Sequence, residues 1–174
     1  MNILNKLAKS IRDVPDFPKK GVMFKDITTV LQDPKLFKQS VDLLYKQYKG
    51  KKIDYVVCVE ARGFIFGSAL AYKLNSGLVL IRKKGKLPYK TYSVTYALEY
   101  GKDTLQIHQD AIKKNGRVLI IDDLLATGGT IQAVCKLLNK CKVKIVGIGF
   151  FIELLFLKGR KKLLKYTVNS IIEF

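Results

Sequence analysis

The chain has 174 residues, 48% of them hydrophobic, so it can bury a sizeable core, and we predict one domain spanning residues 1–174. No apolar run approaches the roughly 18 residues of a membrane span, and the first residues, MNILNKLAKSIRDV, lack the apolar block of a signal peptide. We therefore expect a cytoplasmic protein without a membrane anchor. The net charge of +18 admits a polyanionic partner, but 27 of the 32 basic residues are lysines spread along the chain, so we do not expect nucleic-acid binding as the main function.

The N-terminal part of the chain predicts an irregular segment followed by a helix. Residues 14–31, VPDFPKKGVMFKDITTVL, match neither the helical nor the strand period, and we expect an ordered cap over about residues 11–32. Asp33 and Pro34 are typical of a helix start, and apolar residues recur at helical spacing through the following LFKQSVDLLYKQYK.

Four apolar runs predict buried strands: Tyr55 to Val59, Leu78 to Ile81, Val118 to Ile121 and Ile145 to Phe151. Helical spacing follows the first run in FIFGSALAYKL and the third in IQAVCKLLNKC, an order typical of a parallel sheet with crossover helices. Because ligands bind such sheets outside the carboxyl ends of the strands, we expect the functional site there. Residues 83–100 turn from the basic run KKGK to the alternating YKTYSVTYALEY, which predicts a hairpin or a mobile lid.

Cysteine and histidine offer little for metal or nucleophilic chemistry. Cys58, Cys135 and Cys141 form no CxxC pair, and His108 is the single histidine. We therefore expect neither a zinc site nor a histidine-based catalytic triad.

The stretch DDLLATGGT, from Asp122 to Thr130, combines an acidic pair with a glycine loop after the third apolar run. Small residues free backbone N–H groups to converge on an anion, the hydroxyls of Thr127 and Thr130 add donors, and the next helix adds its positive end. Asp122 and Asp123 would repel a phosphate, but carboxylates accept hydrogen bonds from vicinal hydroxyls such as those of a ribose. The stretch therefore predicts a sugar-phosphate site, with a metal-binding acidic pair or an ordinary turn as the alternatives.

Two further stretches carry cations after apolar runs. EARGF places Arg62 and Gly63 before a helix, which suits a second phosphate group. IRKKGKLP places Arg82, Lys83 and Lys86 after the next run, where they could face a pyrophosphate. The alternatives are a surface arginine at a helix start and a solvated lysine run.

These stretches, together with LEYG and the N-terminal DFPKKGVMFKDIT, resemble the type I phosphoribosyltransferases, and within that family the enzymes that use adenine. The resemblance covers about Ile11 to about Leu164; the acidic pair with its glycine loop indicates the family, and the cap, LEYG and EARGF indicate adenine. It implies an α/β fold with a parallel-sheet core, helices on both faces, a small N-terminal cap (hood) over the base site and a flexible lid loop at about residues 83–100. It also implies a pentosyltransferase of purine salvage, which transfers the 5-phosphoribosyl group of phosphoribosyl pyrophosphate to adenine through an oxocarbenium-like transition state, giving AMP and pyrophosphate.

The resemblance also implies a role for each matching residue. The catalytic residues would be Glu99, Asp122 and Asp123, with Glu99 as the acid/base group beside the purine and Tyr100 in the lid. The ribose 5-phosphate would be bound by Asp122, Asp123, Ala126, Thr127, Gly128, Gly129 and Thr130. Pyrophosphate would be bound by Glu60, Ala61, Arg62, Gly63, Arg82, Lys83 and Lys86, and adenine by Val22, Phe24 and Arg62.

The family further implies Mg²⁺, held by substrate oxygens and water rather than by a dedicated cage, and a homodimer whose neighbouring subunit supplies some of the pyrophosphate-binding cations. Lys20 and Lys25 depart from the family pattern, which has proline and arginine at these positions. Two other functions stay open at this point: transfer to hypoxanthine, guanine or another base, and a regulator of the same fold that binds nucleic acid.

Overall fold

The computed structural model describes residues 2–97 and 101–174. The chain divides into two compact units, Met1–Leu43 and Leu44–Phe174. The single domain expected over residues 1–174 stays a prediction. No helix among the described residues is long and apolar enough to cross a membrane.

The first unit consists of short elements, which explains why residues 14–31 fit no single period. Its elements are α1 (Ile3–Ser10), β1 (Arg12–Val14), β2 (Phe24–Asp26), α2 (Thr28–Leu31) and the start of α3 (Pro34–Tyr48). Strands β1 and β2 pair antiparallel, and Lys25 Nζ lies 2.6 Å from an Asp13 carboxylate oxygen. The predicted start of α3 is confirmed, because the Asp33 carboxylate accepts hydrogen bonds from the Lys35 and Leu36 N–H groups at 2.8 and 3.1 Å.

The second unit is built on a mostly parallel sheet. Its strands are β3 (Tyr55–Val59), β4 (Gly77–Lys83), β5 (Thr91–Ala97), β6 (Lys102–His108), β7 (Arg117–Leu125), β8 (Lys144–Glu153) and β9 (Val168–Glu173). Their order across the described part of the sheet is β5-β6-β4-β3-β7-β8-β9. Parallel pairing links β4, β3, β7, β8 and β9, whereas β6 pairs antiparallel with both β4 and β5.

Two helices cover opposite faces of this sheet, as the resemblance implies. Helix α4 (Gly63–Leu74) connects β3 to β4, and a Cβ on its Gly67 would meet Cys58 and Val56. Helix α5 (Gly129–Lys140) connects β7 to β8, and its apolar residues share a core cluster with Val57 and Val59. Since neighbouring residues of a strand point to opposite faces, the two helices lie on opposite sides of β3.

The apolar runs predicted correctly where four strands lie, but not how completely each strand is buried. All four predicted runs lie in β3, β4, β7 and β8, but β4 is buried on one face only: Val79 and Ile81 are buried, whereas Leu78 is 43% exposed. The expectation of a fully buried strand is wrong for Leu78 to Ile81. Residues 91–97 form the first strand of a hairpin with β6, and the lid residues Glu99 and Tyr100 lie outside the described residues.

Candidate active site

The ends of β3 and β7 bring the EARGF and DDLLATGGT stretches together. These strands are parallel neighbours, with Cys58 opposite Ile121, so the residues that follow in each leave the sheet at the same edge. Gly63 lies so close to Asp122 that a Cβ on the glycine would come within 2.7 Å of the Asp122 Oδ1 atom. This contact explains why glycine follows Arg62, because any side chain there would push the loop away from the acidic pair.

The acidic pair carries an unusual charge distribution. Asp123 is only 5% exposed, and its Oδ2 atom lies 2.8 Å from Arg62 Nε. Burial and then the charge of Asp123 raise the pKa of Asp122 well above its ordinary value. Burial also raises the pKa of Asp123, but there the Arg62 guanidinium opposes the shift. The negative charge of the pair therefore resides mainly on Asp123, and Asp122 takes up a proton more readily.

The buried Oδ2 atom of Asp123 has an ion-pair contact but, within the described part of the chain, no aligned hydrogen bond. Although Arg62 is close to Oδ2, no donor among the described residues is aligned with that buried atom as a hydrogen bond. A buried carboxylate oxygen without a donor is unfavourable, and a hydroxyl group of a ligand would satisfy it.

The glycine loop that follows is shaped by its backbone. Gly128 has φ +76°, a conformation that favours glycine, and a Cβ there would lie 2.5 Å from the carbonyl oxygen of Gly159. The first α-helical hydrogen bond of α5 runs from the Gln132 N–H to the Gly128 oxygen at 3.0 Å, so the N–H groups before Gln132 lack partners within the helix. These N–H groups and the positive end of the helix are the groups from which the sequence predicts an anion-binding loop.

The Glu60 carboxylate contacts Arg82 and Lys83 at the end of β4 and Lys86 shortly after it. Its carboxylate accepts hydrogen bonds from Lys86 Nζ at 2.6 Å, from the Lys83 N–H at 2.9 Å and from Arg82 Nε at 3.3 Å. Burial alone would raise the pKa of Glu60, but these hydrogen bonds outweigh it and lower that pKa to about 2. The loop that begins at Glu60 also contains a cis peptide bond, between Glu60 and Ala61.

The remaining expected site residues have other contacts or lie elsewhere in the chain. The Lys83 side chain points to Asp103 on β6, with 3.3 Å between Nζ and the carboxylate, so only its backbone N–H reaches Glu60. Val22 and Phe24 belong to the first unit, where the Phe24 ring meets the Phe17 ring edge-on with 5.0 Å between centroids. Glu99, the expected acid/base group, lies outside the described residues.

Sequence reasoning missed a turn beside the glycine loop. This turn, Gly159–Lys162, is a short 3₁₀ helix between β8 and β9. A Cβ on Gly159 would collide with the Ala126 carbonyl oxygen, so the backbones of the turn and the loop are in direct contact. The stretch LKGRKK looks like a solvated basic run, and nothing in its local pattern indicates this contact.

The chain is similar to known proteins over nearly its whole length. A family model described as "Phosphoribosyl transferase domain" matches residues 26–173. An adenine phosphoribosyltransferase of Syntrophotalea carbinolica is 57% identical, over 98% of this chain and 100% of its own length.

Solved structures are similar over the same extent. The crystal structure of adenine phosphoribosyltransferase from Thermoanaerobacter pseudethanolicus has a TM-score of 0.96 at 52% identity, covering 98% of this chain and 99% of that one. A crystal structure of the Saccharomyces cerevisiae adenine phosphoribosyltransferase, in complex with an imino-altritol bisphosphate and adenine, has a TM-score of 0.92 at 37% identity and covers 98% of each chain.

Proposed function

Since this chain belongs to the phosphoribosyl transferase family, and within it to the adenine phosphoribosyltransferases, we propose that it transfers the 5-phosphoribosyl group of phosphoribosyl pyrophosphate to adenine. A purine nitrogen forms a bond to the anomeric carbon, the bond from that carbon to the pyrophosphate oxygen breaks, and the purine loses the proton of that nitrogen. The products are AMP and pyrophosphate. The observation that carries the proposal is the buried Asp123 Oδ2 acceptor beside an anion-binding loop.

The acidic pair and the glycine loop serve the sugar-phosphate half of the substrate. The ribose hydroxyls donate hydrogen bonds to Asp122 and Asp123, and the 5-phosphate lies in the loop from Ala126 to Thr130. Because the charge of the pair resides mainly on Asp123, that residue is the stronger acceptor. Because the hydroxyls and the phosphate of one ribose 5-phosphate are both held, the anomeric carbon is also oriented for attack.

The loop from Glu60 to Gly63 and the cations at and after the end of β4 bind the pyrophosphate. An oxocarbenium-like transition state needs the charge of the departing group neutralised rather than a covalent nucleophile. Arg82 and Lys86 supply positive charge next to this loop, and Glu60 holds them there until an anion arrives. Glu60 is therefore a partner of the pyrophosphate-binding cations rather than a direct ligand of pyrophosphate, which it would repel.

Mg²⁺ would enter this site with the substrate, as the resemblance implies. Substrate oxygens and water would supply most of its ligands, and the adjacent carboxylates of the acidic pair suit such an ion. The ion supplies additional positive charge to the leaving pyrophosphate when it is bound.

Adenine recognition is assigned to the cap. The resemblance alone supports these contacts: Phe24 would stack on the base, Val22 and Arg62 would contact its edge through their backbones, and Glu99 would exchange the purine proton. The homodimer and the cytoplasmic location stay predictions from the sequence.

A panel of bases tests the proposal directly. The purified chain is mixed with phosphoribosyl pyrophosphate and Mg²⁺, and adenine, hypoxanthine or guanine is added in turn. We expect pyrophosphate release to depend on adenine and to produce AMP. Consumption driven by another base would overturn the choice of adenine, and the absence of turnover with every base, with the chain folded, would overturn the proposed activity.

A further inference from the structure

The side chain of Lys162, which does not belong to the glycine loop, lies close to that loop. The turn Gly159–Lys162 touches the loop through Gly159, whose backbone meets Ala126 and Gly128. At the other end of the turn, the Lys162 Nζ atom lies 3.9 Å from the position that a Cβ on Gly129 would occupy. Gly129 is the first residue of α5, and a Cβ in a helix tilts toward the N-terminus, so the ammonium lies beside the first turn of that helix.

The turn that carries Lys162 is firmly anchored on both sides. Arg160 Nε donates to the two carboxylate oxygens of Glu153 at 2.7 and 2.9 Å, and its Nη1 atom donates to the Val168 carbonyl at 2.8 Å. Leu163, directly after the turn, is 1% exposed. The backbone at Lys162 therefore has a fixed position relative to the loop, although its side chain is exposed.

The electrostatics of this arrangement call for an anion. The first turn of α5 carries the positive end of the helix, and the Lys162 ammonium adds a full positive charge beside it. No carboxylate in the described part of the chain forms an ion pair with Lys162, whereas Arg160 in the same turn is paired with Glu153. An anion placed next to both positive groups would be attracted by each of them.

We propose that Lys162 binds the 5-phosphate of the substrate, beside the first turn of α5. The inference rests on the proposed function, since it takes the loop from Ala126 to Thr130 as the phosphate site. Lys162 supplies the full positive charge that the loop's own residues lack: Ala126, Thr127, Gly128, Gly129 and Thr130 are all uncharged. It acts on the 5-phosphate end of the substrate and not on the pyrophosphate end, where Arg82 and Lys86 lie.

Calorimetric binding of three probes tests this assignment: AMP and ribose 5-phosphate, which carry the 5-phosphate, and pyrophosphate, which does not. The variants are Lys162→Ala, Lys162→Arg and the matched control Lys161→Ala, which removes an exposed charge from the same turn. For Lys162→Ala we expect AMP and ribose 5-phosphate to bind about tenfold more weakly, the equivalent of ~1.4 kcal/mol. Pyrophosphate should bind as to the wild type, and Lys162→Arg should keep most of the affinity.

Several results would overturn the assignment. An unchanged affinity of Lys162→Ala for AMP excludes a contact with the phosphate, and an equal loss in Lys161→Ala reduces the effect to general surface charge. A parallel loss of pyrophosphate affinity places the cation at the wrong end of the substrate. Formation of AMP by the wild type is measured first: if AMP forms and Lys162→Ala binds normally, only this inference fails, and if no AMP forms, the proposed function fails with it.

Discussion

Replacing Asp123 with asparagine separates the function of the acidic pair from its effect on stability. The substitution keeps the shape of the side chain and removes one of two adjacent carboxylates. Asp123 is 5% exposed and lies 2.8 Å from Arg62, so its charge is both costly to bury and partly compensated. Removing the buried charge stabilises the fold and losing the ion pair with Arg62 destabilises it, so the two effects on stability oppose each other. Substrate binding, in contrast, can only become weaker.

The magnitudes follow from these contacts. The Arg62 side chain is 36% exposed, so it stays hydrated without its partner, and losing such an ion pair costs about 0–1 kcal/mol. Removing the repulsion with Asp122 offsets that loss, and we expect the free energy of unfolding to change by no more than ~1 kcal/mol. A hydrogen bond to a charged acceptor contributes ~1.5–3 kcal/mol, so kcat/KM should fall by about tenfold to 150-fold.

The assay compares Asp123→Asn with the wild type and with Asp110→Asn, an exposed carboxylate that serves as control. Adenine-dependent pyrophosphate release gives kcat/KM, and thermal unfolding monitored by circular dichroism gives stability. Near-normal activity with an unchanged melting curve would refute the assignment of Asp123 to the ribose. Loss of the folded state would refute the electrostatic reasoning about the pair.

Three further changes test other parts of the site. Gly128→Ala should abolish AMP formation in the same assay, because φ is +76° and the new Cβ would meet the Gly159 carbonyl; activity above about a tenth of the wild type would contradict this loop geometry. Arg160→Met should lower the free energy of unfolding by about 2–3 kcal/mol in urea titrations, because it leaves the 3% exposed Glu153 side chain without its partner. The loss should be smaller than for a fully buried pair, since the Arg160 side chain is 41% exposed. An unchanged unfolding midpoint would count against a stabilising role of this ion pair. Glu60→Gln tests a pH dependence: since the pKa of Glu60 is lowered to about 2 in the folded chain, its ion pairs stabilise the fold fully above its ordinary value of 4.5, and this contribution is lost as pH falls toward 2. Wild type and Glu60→Gln should therefore differ most in melting temperature above pH 4.5 and converge near pH 2, and a difference that grows with acidity would contradict the sign.

The sequence predicted those parts of the fold that depend on local pattern. The apolar run Val118 to Ile121 and the helical spacing after it correctly indicated β7 and α5, because a buried strand and an amphipathic helix each leave a periodic signature. Strand β6 was not predicted, since only Leu105 and Ile107 are buried in KDTLQIH and they give a weak alternation. Leu78 was expected to be buried because an apolar run does not reveal which face of a strand is covered.

Non-local contacts limited the prediction of the site. The order of the motifs was enough to place EARGF and the acidic pair at the carboxyl ends of parallel strands, but the ion pair of Arg62 with Asp123 was not predicted. The contacts of Glu60 with Arg82 and Lys86 join residues 22 and 26 positions apart, and their geometry depends on how β4 leaves the sheet. The contact of Gly159 with the loop at Ala126 likewise depends on the path of the chain after β8, which has no local signature.

The central claim is that one site joins a ribose 5-phosphate to adenine and releases pyrophosphate. Phosphorus NMR of a mixture of the chain, phosphoribosyl pyrophosphate, adenine and Mg²⁺ measures this directly. We expect AMP and pyrophosphate to appear together in equal amounts, and neither to form without adenine. Formation of ribose 5-phosphate and pyrophosphate independently of adenine, or an unchanged substrate spectrum with the folded chain, would contradict it.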